Sequence, residues 1–563
     1  MTKTDRAART GAESVLLGLG GAGVDYLFAN AGTDFPPVIE ALAALDTDLI
    51  PEAVTAPHET AAVGMAHGYF LVTGRPQAVM VHVNVGLANA AMGVINAASD
   101  NVPMLVMSGR TPITERGRKG ARVTPIQYGQ EMYDQASIVR DVVKYTYEMR
   151  YPEQGADLVR RALAISRTAP EGPVYLSLPR EPLAADVPEA WPDDATPVPT
   201  PTRGAPDPDA VKRAARWLTE SGRPLILCQR GDIAGHLSKL LSRLAARTGA
   251  AICEPFPVRN VMASDEPALA GYAAAEPIRD ADLILVIDSD VPWIEASQRP
   301  GDEVRVVHLG PDPLFARMPV RGYRADLALA SDACLGVEAL LAALGPGGTR
   351  APWTPPAETR RAKARGSAEA GATTPMTAEW MSHCVSEIMD DGAVAFTELG
   401  LLPGHMDLAG PNRLFFNPHS GGLGWAMTAA LGAQLADRNR LVIACMGDGS
   451  YMFANPVACH QIAEALELPI LTIIKNNAMW NAVRRSVVKG YPGGAAAKAN
   501  EMPLTSLAPV PDFAAVARAS RAHAERIEDG KDLPAALARA IEIIRTERRQ
   551  VLLDLHVALS DDH

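Results

Sequence analysis

Short apolar, β-prone runs alternate with longer stretches of helical character along this chain. That is the pattern of strands buried on both faces and separated by crossover helices. The run 441–446 (LVIACM) predicts a buried strand that stops where Gly447-Asp448-Gly449-Ser450 begins, 455–466 suits a helix, and 469–474 (PILTII) predicts a second strand. This βαβ unit carries Asp448 and Asn477 to neighbouring strand ends at one sheet edge. Further runs at 224–228, 283–287 and 304–309 alternate with helices in the middle of the chain, and Val79–Asn84 reads as a strand ending at His82.

Two proline-rich stretches of low periodicity, 187–208 and 345–375, read as linkers. They divide the chain into domains at 1–190, 205–345 and 375–563. The expected fold class is α/β, with three doubly wound parallel-sheet domains. Gly18-Leu19-Gly20-Gly21-Ala22-Gly23 matches G-x-G-x-x-G, yet the dinucleotide fingerprint requires strand before helix. Here 12–18 reads as helix and 24–29 as strand, so the glycines are read as a helix stop.

Composition narrows the function classes. A length of 563 residues with 47% hydrophobic side chains supplies several cores, and no run of roughly 18 apolar residues suggests a membrane span. The start, MTKTDRAARTGAES, lacks an apolar signal region, so a cytoplasmic location is expected. A net charge of −12 argues against nucleic acid as a partner. The six cysteines form no C-x-x-C pair and read as free thiols of a reducing compartment.

The chemistry concentrates at a few points. A carboxylate and an amide at adjacent strand ends suit a hard cation such as Mg²⁺, with phosphate oxygens completing its shell, and the flanking glycines let the backbone approach a diphosphate. GDGS followed by Asn476-Asn477 resembles the signature of thiamine diphosphate enzymes. Gly421-Gly422-Leu423-Gly424-Trp425-Ala426-Met427 and Pro57-His58-Glu59-Thr60-Ala61-Ala62 are similar to further motifs of the benzoylformate decarboxylase and acetolactate synthase branch. Asp448 and Asn477 are 29 positions apart, slightly more than is usual in that family, and Asn455-Pro456 is read as the insertion.

The resemblance implies a pyrimidine-binding, a middle and a diphosphate-binding domain. It implies Glu59 as the acid that activates the aminopyrimidine, Leu423 as the apolar support beneath the cofactor, and Asp448, Asn477 and Met479 as holders of Mg²⁺. Gly400, Leu401, Gly421, Gly447, Gly449 and Ser450 complete the implied cofactor set. His82, 23 positions after Glu59, falls where benzoylformate decarboxylase has an active-site histidine, and Thr33 where it has a carboxylate-binding serine. No match is found for that enzyme's second histidine, the nearest segment being Asp290-Val291-Pro292-Trp293-Ile294. The small residues around Glu59 (AAVGMAHGY) are read as packing at a subunit contact. The implied assembly is a homodimer or homotetramer with active sites between subunits.

The implied reaction is decarboxylation or cleavage of a 2-oxo acid through a C2 carbanion and an enamine. Alternatives are an acetolactate synthase-type carboligase, a 2-hydroxyacyl-CoA lyase or oxalyl-CoA decarboxylase relative, and a silent regulatory subunit. The cations at 110–122, Arg484, Arg485 and Lys489 could serve an acidic or acyl-CoA substrate, or be solvated loops and subunit contacts. No nucleotide is expected in the middle domain, where Arg230-Gly231-Asp232 makes no phosphate loop.

Overall fold

The computed structural model describes residues 8–189, 198–499 and 501–560. The opening seven residues, and 190–197 of the first proposed linker, lie outside them. The chain builds three six-stranded, all-parallel sheets. The first holds β1 (Tyr26–Ala29), β2 (Glu52–Thr55), β3 (Ala78–Val81), β4 (Leu105–Arg110), β5 (Thr146–Glu148) and β6 (Val174–Pro179) in the order 2-1-3-4-6-5. The second holds β7 (Pro224–Cys228), β8 (Ala251–Cys253), β9 (Leu269–Gly271), β10 (Leu283–Ile287), β11 (Arg305–Gly310) and β12 (Leu327–Ala330) in the order 12-11-10-7-8-9. The third holds β13 (Val394–Glu398), β14 (Leu414–Phe416), β15 (Val442–Gly447), β16 (Leu471–Asn476), β17 (His523–Ile527) and β18 (Val551–His556) in the order 14-13-15-16-18-17.

The outer two sheets therefore share one topology, and each reverses direction between its first and third strands: β1 and β3 in one, β13 and β15 in the other. Open α/β sheets bind ligands outside the carboxyl ends of the strands at such a switch point. The middle sheet reverses between β7 and β10, where Arg230 and Asp290 form a buried ion pair at 3.0 Å.

Six of the helices border the site or correct the reading of the sequence: α1 (Gly11–Gly21), α2 (Glu59–Thr73), α3 (Val83–Ser99), α4 (Ala357–Glu369), α5 (Ala378–Glu387) and α6 (Trp425–Ala436). The glycine-rich decoy forms the last turns of α1 and precedes β1, so helix does come before strand. Helix α4 corrects the second linker, part of which is helical. Its only buried residue is Ala368, so it has no apolar stripe for a sequence reading to detect.

The reading of the AAVGMAHGY residues as a subunit contact is also corrected, because they pack within the chain. A Cβ on Gly64 would lie 1.9 Å from Thr428 Oγ1, one on Gly68 1.9 Å from the Ala429 carbonyl, and one on Gly432 1.9 Å from the Met65 carbonyl. Helices α2 and α6 thus touch backbone to backbone, and one apolar core runs from Phe28 and Val63 of the first sheet's unit to Leu431 and Ile474 of the third's.

Candidate functional site

At the β1/β3 switch point, His82 follows β3 and occupies the position just before α3. Its Nδ1 lies 2.5 Å from Asp34 Oδ1 and its Nε2 3.1 Å from Gln130 Nε2. Asp34 is buried and accepts the Val83 amide through its other oxygen at 3.2 Å. Val83 has φ of 32°, a strained value for a β-branched residue. A Cβ on Gly32 would sit 2.1 Å from the His82 ring, so that glycine gives the imidazole its room. Thr33, next in the turn, is exposed. The His82 pKa is raised above its ordinary value: the Asp34 hydrogen bond outweighs burial, and the charges of Asp34 and Glu59 add to it.

Glu59 opens α2 and is buried. Its Oε2 accepts from Asn89 at 3.2 Å, and Oε1 lies 3.1 Å from where a Cβ of Gly86 would be. The glutamate thus packs against the first turns of α3, whose start holds His82.

At the β13/β15 switch point, Asp448 follows Gly447 and begins a short helix, Asp448–Phe453. It is buried, with Oδ1 taking the Gly449 amide at 2.8 Å and Oδ2 the amides of Ala478 at 2.7 Å and Asn477 at 3.2 Å. Burial outweighs these bonds and pushes its pKa up. Asn477 Oδ1 accepts the Met479 amide at 3.1 Å, so Asp448, Asn477 and Met479 form one folded unit. The Trp480 ring covers Gly449, where a Cβ would lie 2.1 Å from it; Tyr491 is exposed.

Gly400 and Leu401 follow β13 and are buried, and a Cβ on Gly400 would lie 2.6 Å from Cys445 Sγ. Non-glycine residues with positive φ recur at these strand ends, Leu399 at 57° and Ala478 at 58°.

Two groups that the sequence reading passed over hold the loop bearing Gly421 and Leu423. Glu398, fully buried at the end of β13, accepts the amides of Gly424 at 2.8 Å and Ala426 at 3.0 Å. Burial drives its pKa up against those bonds. Asn96, on the last turns of α3, donates to the Gly422 carbonyl at 2.9 Å and accepts from Ser420 and from the Gly422 amide. The helix that starts at His82 therefore ends on the loop carrying Leu423, which is itself half-buried.

His419 precedes that loop. Its Nδ1 lies 3.1 Å from Asp290 and its Nε2 3.1 Å from the Phe256 carbonyl. The Gln229 amide nitrogen also lies 3.4 Å from Nε2. Burial lowers the His419 pKa, but Asp290 outweighs burial and the net shift is upward. The segment 290–294 carries no histidine, and its Asp290 is the partner of His419 from another domain.

Not all predicted groups converge. Arg110 is bound to Glu131 and Glu148, and Arg122 to Glu131, so these cations serve the fold. A cavity of about 570 Å³ lies elsewhere, between β9, α4 and α5, bordered by Tyr272, Arg360, Arg365, Glu379 and His405. All six cysteines are free. Among the described residues no helix is long and apolar enough to cross a membrane.

Paired switch-point clusters on two sheets of the same topology, with a third sheet between them in the chain, mark an α/β protein with ligand sites outside the carboxyl ends of its strands. The comparisons agree. Residues 9–138 match the N-terminal TPP binding domain of thiamine pyrophosphate enzymes, 211–340 their central domain and 400–555 their C-terminal TPP binding domain. The chain belongs to the thiamine pyrophosphate enzyme family, and its cofactor is thiamine diphosphate.

It is 26% identical to a probable 2-ketoarginine decarboxylase of Pseudomonas aeruginosa, over 84% of this chain and 83% of that one. It is also 26% identical to the large subunit of acetolactate synthase isozyme 3 of Escherichia coli, over 96% of this chain and 93% of that one. The solved thiamine diphosphate-dependent 4-hydroxybenzoylformate decarboxylase of Rhodococcus jostii shares the fold with a TM-score of 0.79 at 22% identity, covering 98% of this chain and all of that one.

The residues present fit the cofactor. Asp448, Asn477 and the Met479 backbone offer a carboxylate, an amide and a carbonyl, oxygen donors of the kind that suits a hard cation keeping phosphate oxygens in its shell. Among the described residues no cluster of three or more His, Cys, Asp or Glu side chains competes for a metal.

Proposed function

We propose that this enzyme is a 2-oxo acid decarboxylase whose active sites form between subunits of a homodimer or homotetramer. The observation that carries the reading is the His82 cluster: a histidine at a switch point, fixed through both ring nitrogens by Asp34 and Gln130, with Glu59 close enough to raise its pKa. When bound, thiamine diphosphate would supply a nucleophilic carbon and take up the electron pair left behind when CO₂ departs.

The chain's residues do the rest. Glu59 would hold the ring nitrogen of the aminopyrimidine, and Leu423 would pack against the cofactor. Asp448, Asn477 and the Met479 carbonyl hold Mg²⁺, while Gly400, Leu401, Gly421, Gly447, Gly449 and Ser450 let backbone approach the cofactor. Thr33 offers a hydroxyl to the substrate carboxylate. His82 delivers the proton that replaces CO₂ on the former carbonyl carbon, so that a 2-oxo acid and a proton yield an aldehyde and CO₂.

Arg110 and Arg122 are engaged by acids, which leaves the exposed Arg116, Arg118 and Lys119 of that loop to the acyl-CoA reading. Similarity to acetolactate synthase over nearly the whole chain sustains carboligation as the second reading. Incubating the enzyme with Mg²⁺, thiamine diphosphate and a panel of 2-oxo acids separates the two by mass spectrometry. Aldehyde equimolar with CO₂ supports the decarboxylase; a ligated hydroxyketone as main product overturns it.

A further inference from the structure

Lys475 is a lysine buried at a strand end, 4% exposed, with no carboxylate at ion-pair distance among the described residues. Its backbone is on β16, in register with Gly447 of β15. Its Nζ makes one hydrogen bond, 3.4 Å to the carbonyl of Leu399, which follows β13. Since the strand order is β13-β15-β16, the side chain crosses β15 and delivers its ammonium to the β13/β15 switch point. Gly447 stands beside it on the same face of the sheet without a side chain to obstruct that path.

The charged or titratable groups within electrostatic reach are Cys445 of β15, Arg485 of the helix Asn481–Gly490, Glu379 of α5 and Asp448. A buried cation without a bonded counter-charge is costly. The expense has a reason where an anion binds.

We infer that Lys475 is part of the diphosphate cradle and would offer its ammonium group to the cofactor's diphosphate at the β13/β15 strand ends. This rests on the assignment of Asp448 and its glycines to that cradle. Glycine-rich backbone and a metal neutralise part of the diphosphate's charge, and the lysine neutralises more from inside the sheet. The alternative is structural: Lys475 would serve only to brace the strained turn at Leu399.

The two roles have opposite signatures in Lys475→Met. As a cradle residue, its loss leaves the cofactor-free protein as stable as the wild type or more so, because a buried charge is gone. The rise in Tm on adding Mg²⁺ and thiamine diphosphate shrinks, and calorimetry gives binding weaker on the order of 10- to 100-fold, the loss expected for a charged hydrogen bond. Inorganic diphosphate with Mg²⁺ weakens in parallel. A lower cofactor-free Tm with unchanged Kd assigns the brace instead and overturns the inference. Where the Met variant does not fold, Lys475→Gln decides by the same two measurements. Asp448→Ala run alongside keeps the readings apart: if it loses the cofactor while the Lys475 variants bind like wild type, this inference alone fails; if it too binds like wild type, the cradle reading fails.

Discussion

The carboxylate of Asp34 grips Nδ1 of His82 at 2.5 Å and the amide of Val83 at 3.2 Å. One buried acid therefore orients the imidazole and anchors the first turn of the helix behind it. A carboxylate on Nδ1 fixes the tautomer and leaves Nε2, beside Gln130, as the nitrogen for proton traffic.

Replacing Asp34 with Asn keeps the shape and removes the charge, so the His82 pKa falls. If turnover needs the imidazolium, the alkaline limb of the kcat profile moves to lower pH. The stability consequence has the same origin. The folded-state pKa of His82 lies above 6.5, so the pair's contribution is fully present below that value and is lost as pH rises through the folded pKa. Urea unfolding across that range is expected to show a flatter dependence in Asp34→Asn. A variant with wild-type pH profiles would separate Asp34 from His82 chemistry.

Gly32→Ala tests the same ring from the other side. The added methyl would lie 2.1 Å from His82 Nδ1, and overpacking of this kind costs about 1–3 kcal/mol. Because the ring must move, turnover is expected to fall on the order of 10²-fold, as when a proton-transfer residue is lost. Combining it with His82→Ala should cost little more than either alone, since both disable one function. Additive losses in kcat would contradict this.

The strand ends were readable in the sequence wherever apolar runs give way to glycine or to polar residues, which is why Asp448, Asn477 and His82 could be placed. Register drifted where polar residues continue a strand. The run expected at 469–474 is observed at Leu471–Asn476, because Lys475 and Asn476 are buried with their own partners, Leu399 and Asp554. Asp34, Glu398 and Asn96 escaped notice for a different reason. Each acts through a partner brought close by the fold, 326 positions away for Asn96 and Gly422, and no periodicity records such a pairing. Local pattern reports which residues reach a sheet edge; the acids and amides that hold them there come from long-range topology.

Asp448→Ala is expected to leave the fold intact and abolish saturable binding of Mg²⁺ with thiamine diphosphate. Even outer partners of a metal site are worth about 10- to 100-fold in affinity, so a direct ligand should exceed that. Titration calorimetry with circular dichroism on the same samples checks both halves. Wild-type affinity would remove Asp448 from the metal site.

Glu59→Gln retains the size and hydrogen bonding of the side chain but not its charge. Exchange of the cofactor's C2 proton in deuterated water, followed by quenched NMR, is expected to slow by about 10²–10⁴-fold with binding preserved. Unchanged exchange would place the activating acid elsewhere.

The same two substitutions decide whether the site spans subunits. If Glu59 of one chain serves the cofactor held by Asp448 of another, Glu59→Gln and Asp448→Ala homo-oligomers are each inactive, yet a mixed dimer contains one site with both residues intact and one with neither. With random reassortment of equal amounts, half the dimers are mixed and each has one of two sites working, so about a quarter of wild-type activity returns in a two-fold symmetric assembly. Unfolding and refolding the two variants together, then assaying against the separately refolded pair, measures this directly. If Glu59 and Asp448 act within one chain, every site in the mixture carries a lesion and no activity appears. Recovery near a quarter would fix both the division of labour between the outer sheets and the dimer as the smallest active unit.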